Sequence, residues 1–145
     1  MEMNKNKEAI NYYFSKYPTK YNQYAEVQNY CAEKLMNFII GTPEKILDLG
    51  CGIAENTWQL KKSYPNAEVT GIDFSSRLIN EARKRYQGIT FLCQDIDDHL
   101  FSNDIDLVFS NAVLHWSTNL KNVLEKIKEK IKRNGQFVGT VFGPG

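Results

Sequence analysis

Acidic residues flank a glycine turn near the middle of the chain, in the stretch ILDLGCGIAEN at 46–56. Gly50 and Gly52 follow a short apolar run, and glycines in this pattern let a backbone approach a ligand closely. Asp48 precedes the turn, and Glu55 stands where a dinucleotide-binding turn would have its third glycine. Both carboxylates would repel a pyrophosphate at the helix N-terminus that should hold it. The turn therefore suits a nucleoside that carries positive charge and no phosphate.

S-adenosylmethionine is a ligand of this kind, because it has an ammonium and a sulfonium group and no phosphate. Asp73 ends the second predicted strand, where a carboxylate can accept both ribose hydroxyls, and Asp95 follows the third strand, within reach of an adenine amino group. Both acids also have structural interpretations, as a turn-forming aspartate and a solvated loop acid, and Asp97 and Asp98 are interpreted as solvated. Since NAD sites also use a ribose carboxylate, a nicotinamide oxidoreductase remains a distant alternative.

Short apolar runs alternate with amphipathic segments over the C-terminal two thirds of the chain. The predicted strands are 45–50, 67–73, 89–93, 105–111 and 136–142, and the predicted helices between them are 55–63, 76–87 and 119–133. This order predicts an α/β fold: a Rossmann-like, doubly wound parallel sheet of about five strands, with helices on both faces. Ligands bind such sheets at the carboxyl ends of the strands, where the glycine turn and the aspartates fall.

Two further helices are predicted ahead of the sheet, at 7–17 and 20–40. They would form an N-terminal helical cap over residues 1–41, followed by a cofactor-binding core at 42–145.

The helix at 119–133 has the clearest apolar stripe, which consists of Leu120, Val123, Leu124, Ile127 and Ile131. Asn134-Gly135 is expected to end it, and N-caps are expected at Thr118 and at Ser75 or Ser76.

The composition is that of an ordinary globular protein, with 42% hydrophobic and 24% charged residues. A formal net charge of +1 gives no electrostatic case for nucleic acid or an anionic membrane, and no apolar run is long enough to span a bilayer. Cys31, Cys51 and Cys93 have no metal-ligand spacing. We expect reduced thiols, no metal, and a cytoplasmic protein without a signal peptide.

The motifs ILDLGCG, TGIDFS, FLCQDI, DLVFSN and NGQF resemble, in order and spacing, the class I S-adenosylmethionine-dependent methyltransferases. The resemblance covers nearly the whole chain, with Ala54 in place of the usual third glycine. It implies that the glycine turn lines the methionine part, that Asp73 binds the ribose, and that Asn111 lies near the methionine end. The implied cofactor residues in this part of the chain are Asp48, Gly50, Cys51, Gly52, Asp73, Phe74, Asp95, Ile96 and Asn111, of which Asp95 and Ile96 would hold the adenine.

The N-terminal segment AINYYFSKYPTKYNQYAEVQ, at 9–28, resembles the start of the malonyl-acyl-carrier-protein O-methyltransferases of biotin synthesis. The matching residues are Phe14, Tyr21, Tyr24, Ala25 and Gln28, and FSNAVLHW and TVFGPG also resemble that family. The resemblance implies that the free carboxylate of a malonyl thioester on acyl carrier protein is methylated and that S-adenosylhomocysteine is released. Tyr21 and Gln28 would contact the cofactor.

The residues implied at the methyl acceptor are Tyr24, His115 and Trp116. No catalytic residue is expected, because methyl transfer from a sulfonium to an ionised carboxylate depends on proximity and requires no base.

Other functions remain open at this point. One is a different small-molecule methyltransferase, such as a trans-aconitate type, that acts on a small carboxylate. Another is a truncated cofactor-binding domain without turnover, because members of the family extend for roughly another hundred residues. The last strand would then be an exposed edge, which predicts either a dimer through that edge or a fragment of a longer protein.

Overall fold

The computed structural model describes residues 8–9, 12, 18–99 and 101–143, and side chains for all of these except 18–24. Residues 8–9 and 12 are helical, and the rest of the helix predicted at 7–17 lies outside the described residues.

Five parallel strands form one sheet in the described part of the chain, in the order β3-β2-β1-β4-β5. The strands are β1 (Lys45–Leu49), β2 (Glu68–Asp73), β3 (Thr90–Cys93), β4 (Ile105–Asn111) and β5 (Ile131–Thr140). The helices are α1 (Pro18–Met36), α2 (Glu55–Ser63), α3 (Ser76–Arg85) and α4 (Leu120–Lys130), with a 3₁₀ turn at Leu114–Trp116. The predicted α/β fold is confirmed.

Apolar side chains on β1 and β4 are buried on both faces of the sheet. On one face, Leu47 and Val108 pack with Ile127 of α4, and on the other face Ile46 packs with Leu60 of α2 and with α1. Burial on both faces explains why the strands read as nearly continuous apolar runs. The sheet is therefore doubly wound, as predicted.

The order in which strands are added to the sheet reverses at β1, although all five described strands run parallel. From β1 the chain proceeds outward through β2 to β3, and then returns to place β4 on the other side of β1. In open parallel sheets such a reversal leaves a crevice beyond the carboxyl ends of the two central strands. The glycine turn follows β1 and therefore lies at this crevice.

The predicted boundary between the last helix and the last strand is wrong. α4 ends at Lys130, and Ile131 begins β5, where it pairs with Ile105. Asn134-Gly135 lies inside β5, beside a shift of the strand register, and does not end a helix. A Cβ on Gly135 would stand 2.5 Å from Ile131 Cγ1 and 2.9 Å from the Ile105 carbonyl oxygen, so this irregular passage requires glycine.

The helix caps agree with the prediction at α3 and differ at α4. Ser75 Oγ accepts a hydrogen bond from the N–H three residues on and caps α3. Asn119 caps α4 in place of Thr118, because its Oδ1 accepts from Asn122 N at 3.2 Å. The Thr118 hydroxyl donates instead to Asp97 Oδ2 at 2.9 Å.

Candidate ligand-binding site

A cleft of about 420 Å³ opens at the carboxyl ends of the central strands. It brings together most of the residues predicted to bind a cofactor or acceptor: Gln28, Asp48, Gly50, Cys51, Gly52, Asp73, Phe74, Asp95, Ile96, Asn111 and Trp116. His115 is not one of its lining residues, and the side chains of Tyr21 and Tyr24 lie outside the described part of the chain. The cleft thus collects predicted positions from four strand ends and from α1.

The glycine turn has a backbone that favours glycine at both positions. Gly50 has φ +73° and Gly52 has φ +56°. The N–H groups of Gly50 and Cys51 both donate to the Ile72 carbonyl at 2.8 Å, which fixes the turn against β2. A Cβ on Gly50 would lie 2.2 Å from Val113 Cγ2, whereas one on Gly52 would meet nothing within 4 Å. Gly50 is therefore required by packing, and Gly52 borders open space that a ligand can enter.

Ala54 also has a left-handed backbone, with φ +68°, directly before the first residue of α2. A glycine is the usual residue at this place in the resembling family, and left-handed φ costs alanine about 1 kcal/mol. The methyl group is fully buried and packs with Ile79, Ala82 and Phe91. This apolar contact offsets part of the backbone strain.

Asp48 is a buried carboxylate in the wall of the cleft, and only 2% of it is exposed. Its Oδ2 accepts a hydrogen bond from Thr57 Oγ1 at 2.8 Å. Burial, with a smaller contribution from the nearby Asp73, raises the pKa of Asp48 to about 7 against the lowering effect of the Thr57 hydrogen bond. A cationic ligand beside Asp48 would stabilise its ionised form.

Two more aspartates of the cleft hold backbone turns. Asp73 Oδ2 accepts from Gly52 N at 3.1 Å and its Oδ1 accepts from Ser75 N at 2.9 Å, so this side chain joins the glycine turn to the start of α3. Asp95 Oδ1 accepts from Asp97 N at 3.0 Å. Because these bonds fix the carboxylates, the cleft presents them in defined positions.

Asn111 connects three elements around the cleft. Its Nδ2 donates to the Gln28 carbonyl of α1 at 2.8 Å, and its Oδ1 accepts from Thr140 Oγ1 of β5 at 2.7 Å. The side chain therefore holds α1 over the ends of β4 and β5. This role accounts for an asparagine at the end of β4 without any ligand.

Trp116 lies at the rim of the cleft with 37% of its surface exposed, and His115 packs beneath it. The His115 ring stands 4.5 Å from the Trp116 ring and 5.6 Å from the Phe142 ring, measured between centroids. Its buried Nδ1 has no hydrogen-bond partner within the described residues, and burial lowers the pKa of His115. The neutral form of His115 is thus favoured, and its ring packs against the ring of Trp116.

Two polar residues near the cleft were not predicted from the sequence. Thr57 is fully buried and bonds Asp48. Asp97 was interpreted as solvated, which is wrong: its carboxylate accepts from Ser117 Oγ and from Thr118, and so joins the loop after β3 to the loop before α4. The adjacent hydroxyl groups of Ser117 and Thr118 are visible in the sequence, but the sequence does not indicate that they bond Asp97.

Within the described residues, no group of three His, Cys, Asp or Glu side chains comes together as a metal site. The three cysteines are free thiols. Burial raises the pKa of Cys51, and Asp48 and Asp73 raise it further, so this thiol stays protonated at neutral pH. The described helices include none that is long and apolar enough to cross a membrane.

The fold and the cleft define a Rossmann-like α/β domain with its ligand site at the switch point of the sheet. A family model described as a methyltransferase domain matches residues 41–142, and the chain belongs to this family.

The malonyl-[acyl-carrier protein] O-methyltransferase of Anoxybacillus flavithermus is 36% identical over 132 residues, which are 90% of this chain and 51% of that protein. The protein of the same name from Priestia megaterium is 30% identical, and the match covers 97% of this chain and 53% of that protein. The chain thus spans about half the length of these relatives. The predicted resemblance to methyltransferases is confirmed.

The solved structure of the plantazolicin methyltransferase BpumL, in complex with a desmethylPZN analog and SAH, aligns with a TM-score of 0.67 at 23% identity. The alignment covers 92% of this chain and 52% of that one. This likeness confirms the class I methyltransferase fold.

Proposed function

We propose that this chain binds S-adenosylmethionine in the cleft and transfers its methyl group to a carboxylate. The observation that carries the proposal is the charge of the cleft: Asp48, Glu55, Asp73 and Asp95 line it, and no Lys or Arg is among the described lining residues. Such a surface attracts a ligand with ammonium and sulfonium groups and repels a pyrophosphate. The methyltransferase family and the structural neighbour that holds SAH support the same cofactor.

The proposed arrangement of the cofactor follows the positions of the lining residues. The methionine part lies along Gly50, Cys51 and Gly52, because Gly52 borders open space. Asp73 accepts the ribose hydroxyls, and Asp95 and Ile96 hold the adenine. Phe74, Asn111 and Gln28 complete the walls of the cleft. The resemblance of the N-terminal segment is the reason for proposing Tyr21 as a further cofactor contact.

We propose the free carboxylate of a malonyl thioester on acyl carrier protein as the methyl acceptor. The names of the relatives support this substrate. The resemblance of the segment at 9–28 is the reason for proposing a place in biotin synthesis. A carboxylate is ionised at neutral pH, so alignment with the sulfonium methyl group is sufficient and no general base is required. Trp116 at the rim would border this acceptor, and His115, which does not line the cleft, would act through its contact with the Trp116 ring. The resemblance of the N-terminal segment is the reason for proposing Tyr24 as a further neighbour of the acceptor.

Calorimetric titration of the chain with S-adenosylmethionine, S-adenosylhomocysteine and NAD tests the cofactor. We expect the first two to bind and NAD not to bind. Asp73→Ala should weaken cofactor binding by about 1–3 kcal/mol, the range for a hydrogen bond to a charged group, while Asp98→Ala, an exposed acid outside the cleft, should not. Binding of NAD alone, or an unchanged affinity of Asp73→Ala, would contradict the proposed site.

Turnover has a separate test. Malonyl-acyl carrier protein incubated with the chain and S-adenosylmethionine should gain one methyl ester, as read by mass spectrometry, and the gene for this chain should restore growth of a biotin-requiring strain. Cofactor binding without either result would refute the methyl-transfer proposal and leave the cofactor proposal standing. Methylation of trans-aconitate instead would identify a small carboxylate as the acceptor.

Three broader features belong to the same proposal. The helical cap at 1–41 and the core at 42–145 act as two parts of one site, since α1 contributes Gln28 to the cleft. The protein works in the cytoplasm, which the free cysteines support.

β5 pairs with β4 alone in the described part of the chain, and we infer that a second copy pairs with its other edge.

A further inference from the structure

Thr57 lies in the first turn of α2 and is fully buried behind the glycine turn. Its hydroxyl donates to Asp48 Oδ2 at 2.8 Å, and this is the single hydrogen bond that the Asp48 carboxylate takes from the described residues. Because Oδ2 is held from behind, Oδ1 is the oxygen left to a ligand in the cleft. The pair therefore forms a carboxylate with one oxygen anchored and one available.

The charged surroundings of Asp48 make this hydrogen bond decisive. Asp73 faces it from β2, Cys51 from the glycine turn, and Glu55 stands at the rim on α2, while its partner residue on β4 is the apolar Phe109. None of these groups favours a negative charge on Asp48. Burial and Asp73 raise the pKa of Asp48 to about 7, and this value already includes the lowering effect of the Thr57 hydrogen bond. The Thr57 hydroxyl is thus the neighbouring group that favours the ionised form of Asp48.

We propose that Thr57 is a positioning residue for the cofactor: its hydroxyl orients Asp48 and favours the ionised carboxylate, and thereby affects the affinity for the cationic end of the ligand and the pH range of binding. This inference rests on the proposed function, because it concerns the same cleft. When a cationic ligand binds to protonated Asp48, the O–H bond of the carboxyl group breaks, its electron pair stays on the carboxylate, and the proton passes to solvent. Binding below neutral pH therefore releases a proton.

Calorimetry with S-adenosylmethionine between pH 6 and 9 tests the proposal on the wild type, Thr57→Val and Thr57→Ser. For the wild type we expect the contribution of Asp48 to the affinity to rise with pH up to about 7 and then to level. Loss of one hydrogen bond to a charged group should move this rise about one pH unit upward in Thr57→Val, so that binding is roughly fivefold weaker at pH 7 and recovers by pH 9. Thr57→Ser, which keeps the hydroxyl, should follow the wild type.

Two features of this design separate positioning from a structural role. The amine of the ligand titrates in the same way with every variant, so its effect cancels in the ratio of the wild-type affinity to the variant affinity. Titrations in buffers of different ionisation enthalpy count the released protons, and Thr57→Val should release more than the wild type at pH 7.5. Thr57→Ala replaces the valine variant if that one does not fold, since alanine is the better helix former.

Four results would overturn the inference. An affinity loss in Thr57→Val that is the same at every pH would make Thr57 merely structural. Unchanged affinity, or a wild type that binds without releasing protons, would remove the link between Thr57, Asp48 and the ligand. A wild type that binds no S-adenosylmethionine at any pH would refute the proposed function itself and this inference with it.

Discussion

At the scale of single residues, the cleft contains a carboxylate whose burial opposes folding. Asp48 lies on a central strand among apolar side chains, with one hydroxyl as its hydrogen-bond donor among the described residues. A buried anion that no cation neutralises destabilises the folded state. The proposed cationic ligand would account for such a residue, because the charge of Asp48 would become favourable when a cation occupies the cleft.

Asp48→Asn should stabilise the ligand-free protein above pH 7. The folded pKa of Asp48, about 7, lies above its ordinary value of 3.8, so the folded wild type binds more protons and loses stability as the pH rises from 4 to 7. Asparagine does not titrate, so the variant lacks this pH dependence of stability, and its amide oxygen can still accept the hydrogen bond from Thr57. At roughly 1.4 kcal/mol per pKa unit, the free energy of unfolding should increase by about 2–4 kcal/mol at pH 8, with no difference below pH 4. Urea unfolding at both pH values measures it, and a pH-independent difference would contradict the argument.

At the scale of elements, the strands and helices were predictable where one apolar pattern dominates. α2 has its predicted bounds, and all five strands were found, because buried parallel strands are short apolar runs between turns. The junction of α4 and β5 was not predictable. Ile131 continues the apolar spacing of α4, so the helical pattern does not stop where the helix stops. The helix ends at Lys130 because Ile131 pairs with Ile105 in the sheet, and this contact joins distant parts of the chain.

Asp106 on β4 joins the starts of two neighbouring strands. Its Oδ2 accepts from Glu44 N at 3.1 Å and Lys45 N at 2.8 Å, and its Oδ1 pairs with Lys132 Nζ at 3.0 Å. Burial alone would raise the pKa of Asp106, but the Lys132 and backbone hydrogen bonds outweigh it and lower the pKa. The carboxylate thus stabilises the amino ends of β1 and β5, at the edge of the sheet opposite the cleft.

Asp106→Asn should therefore lower the free energy of unfolding by about 1–2 kcal/mol at pH 7. Because the folded pKa lies below the ordinary value of 3.8, the contribution is present above that pH and disappears as the pH falls through the folded pKa. Urea unfolding of wild type and variant should differ at pH 7 and converge toward pH 2. Asp98→Asn, which changes an exposed acid, serves as the control. An equal loss of unfolding free energy in this variant would contradict a specific role of Asp106.

At the scale of the whole molecule, the place of the site was predictable because it depends on topology. The order of strands and helices fixes a crevice at the carboxyl ends of β1 and β4, and the acids of the glycine turn and the strand ends must lie there. The contacts that hold them were not predictable. Thr57, Asp97 and Thr140 act through partners that the sequence alone does not place, since hydroxyl groups occur at many unrelated positions.

The outer edge of β5 supports the last prediction, that two copies of the chain associate through it. The strand is ten residues long, and Phe137 and Val141 near its end are 39% and 55% exposed. Residues 136–140 carry no charged side chain, and such uncharged edges pair with other strands, whereas charges such as those of Lys132 and Arg133 earlier in β5 oppose pairing. Light scattering should give the wild type twice the mass of one chain, and Phe137→Lys with Val141→Lys should give a single chain. Leu124→Lys on α4, where the residue is 40% exposed, is the matched control and should remain a dimer. A monodisperse monomer of the wild type would refute association through this edge.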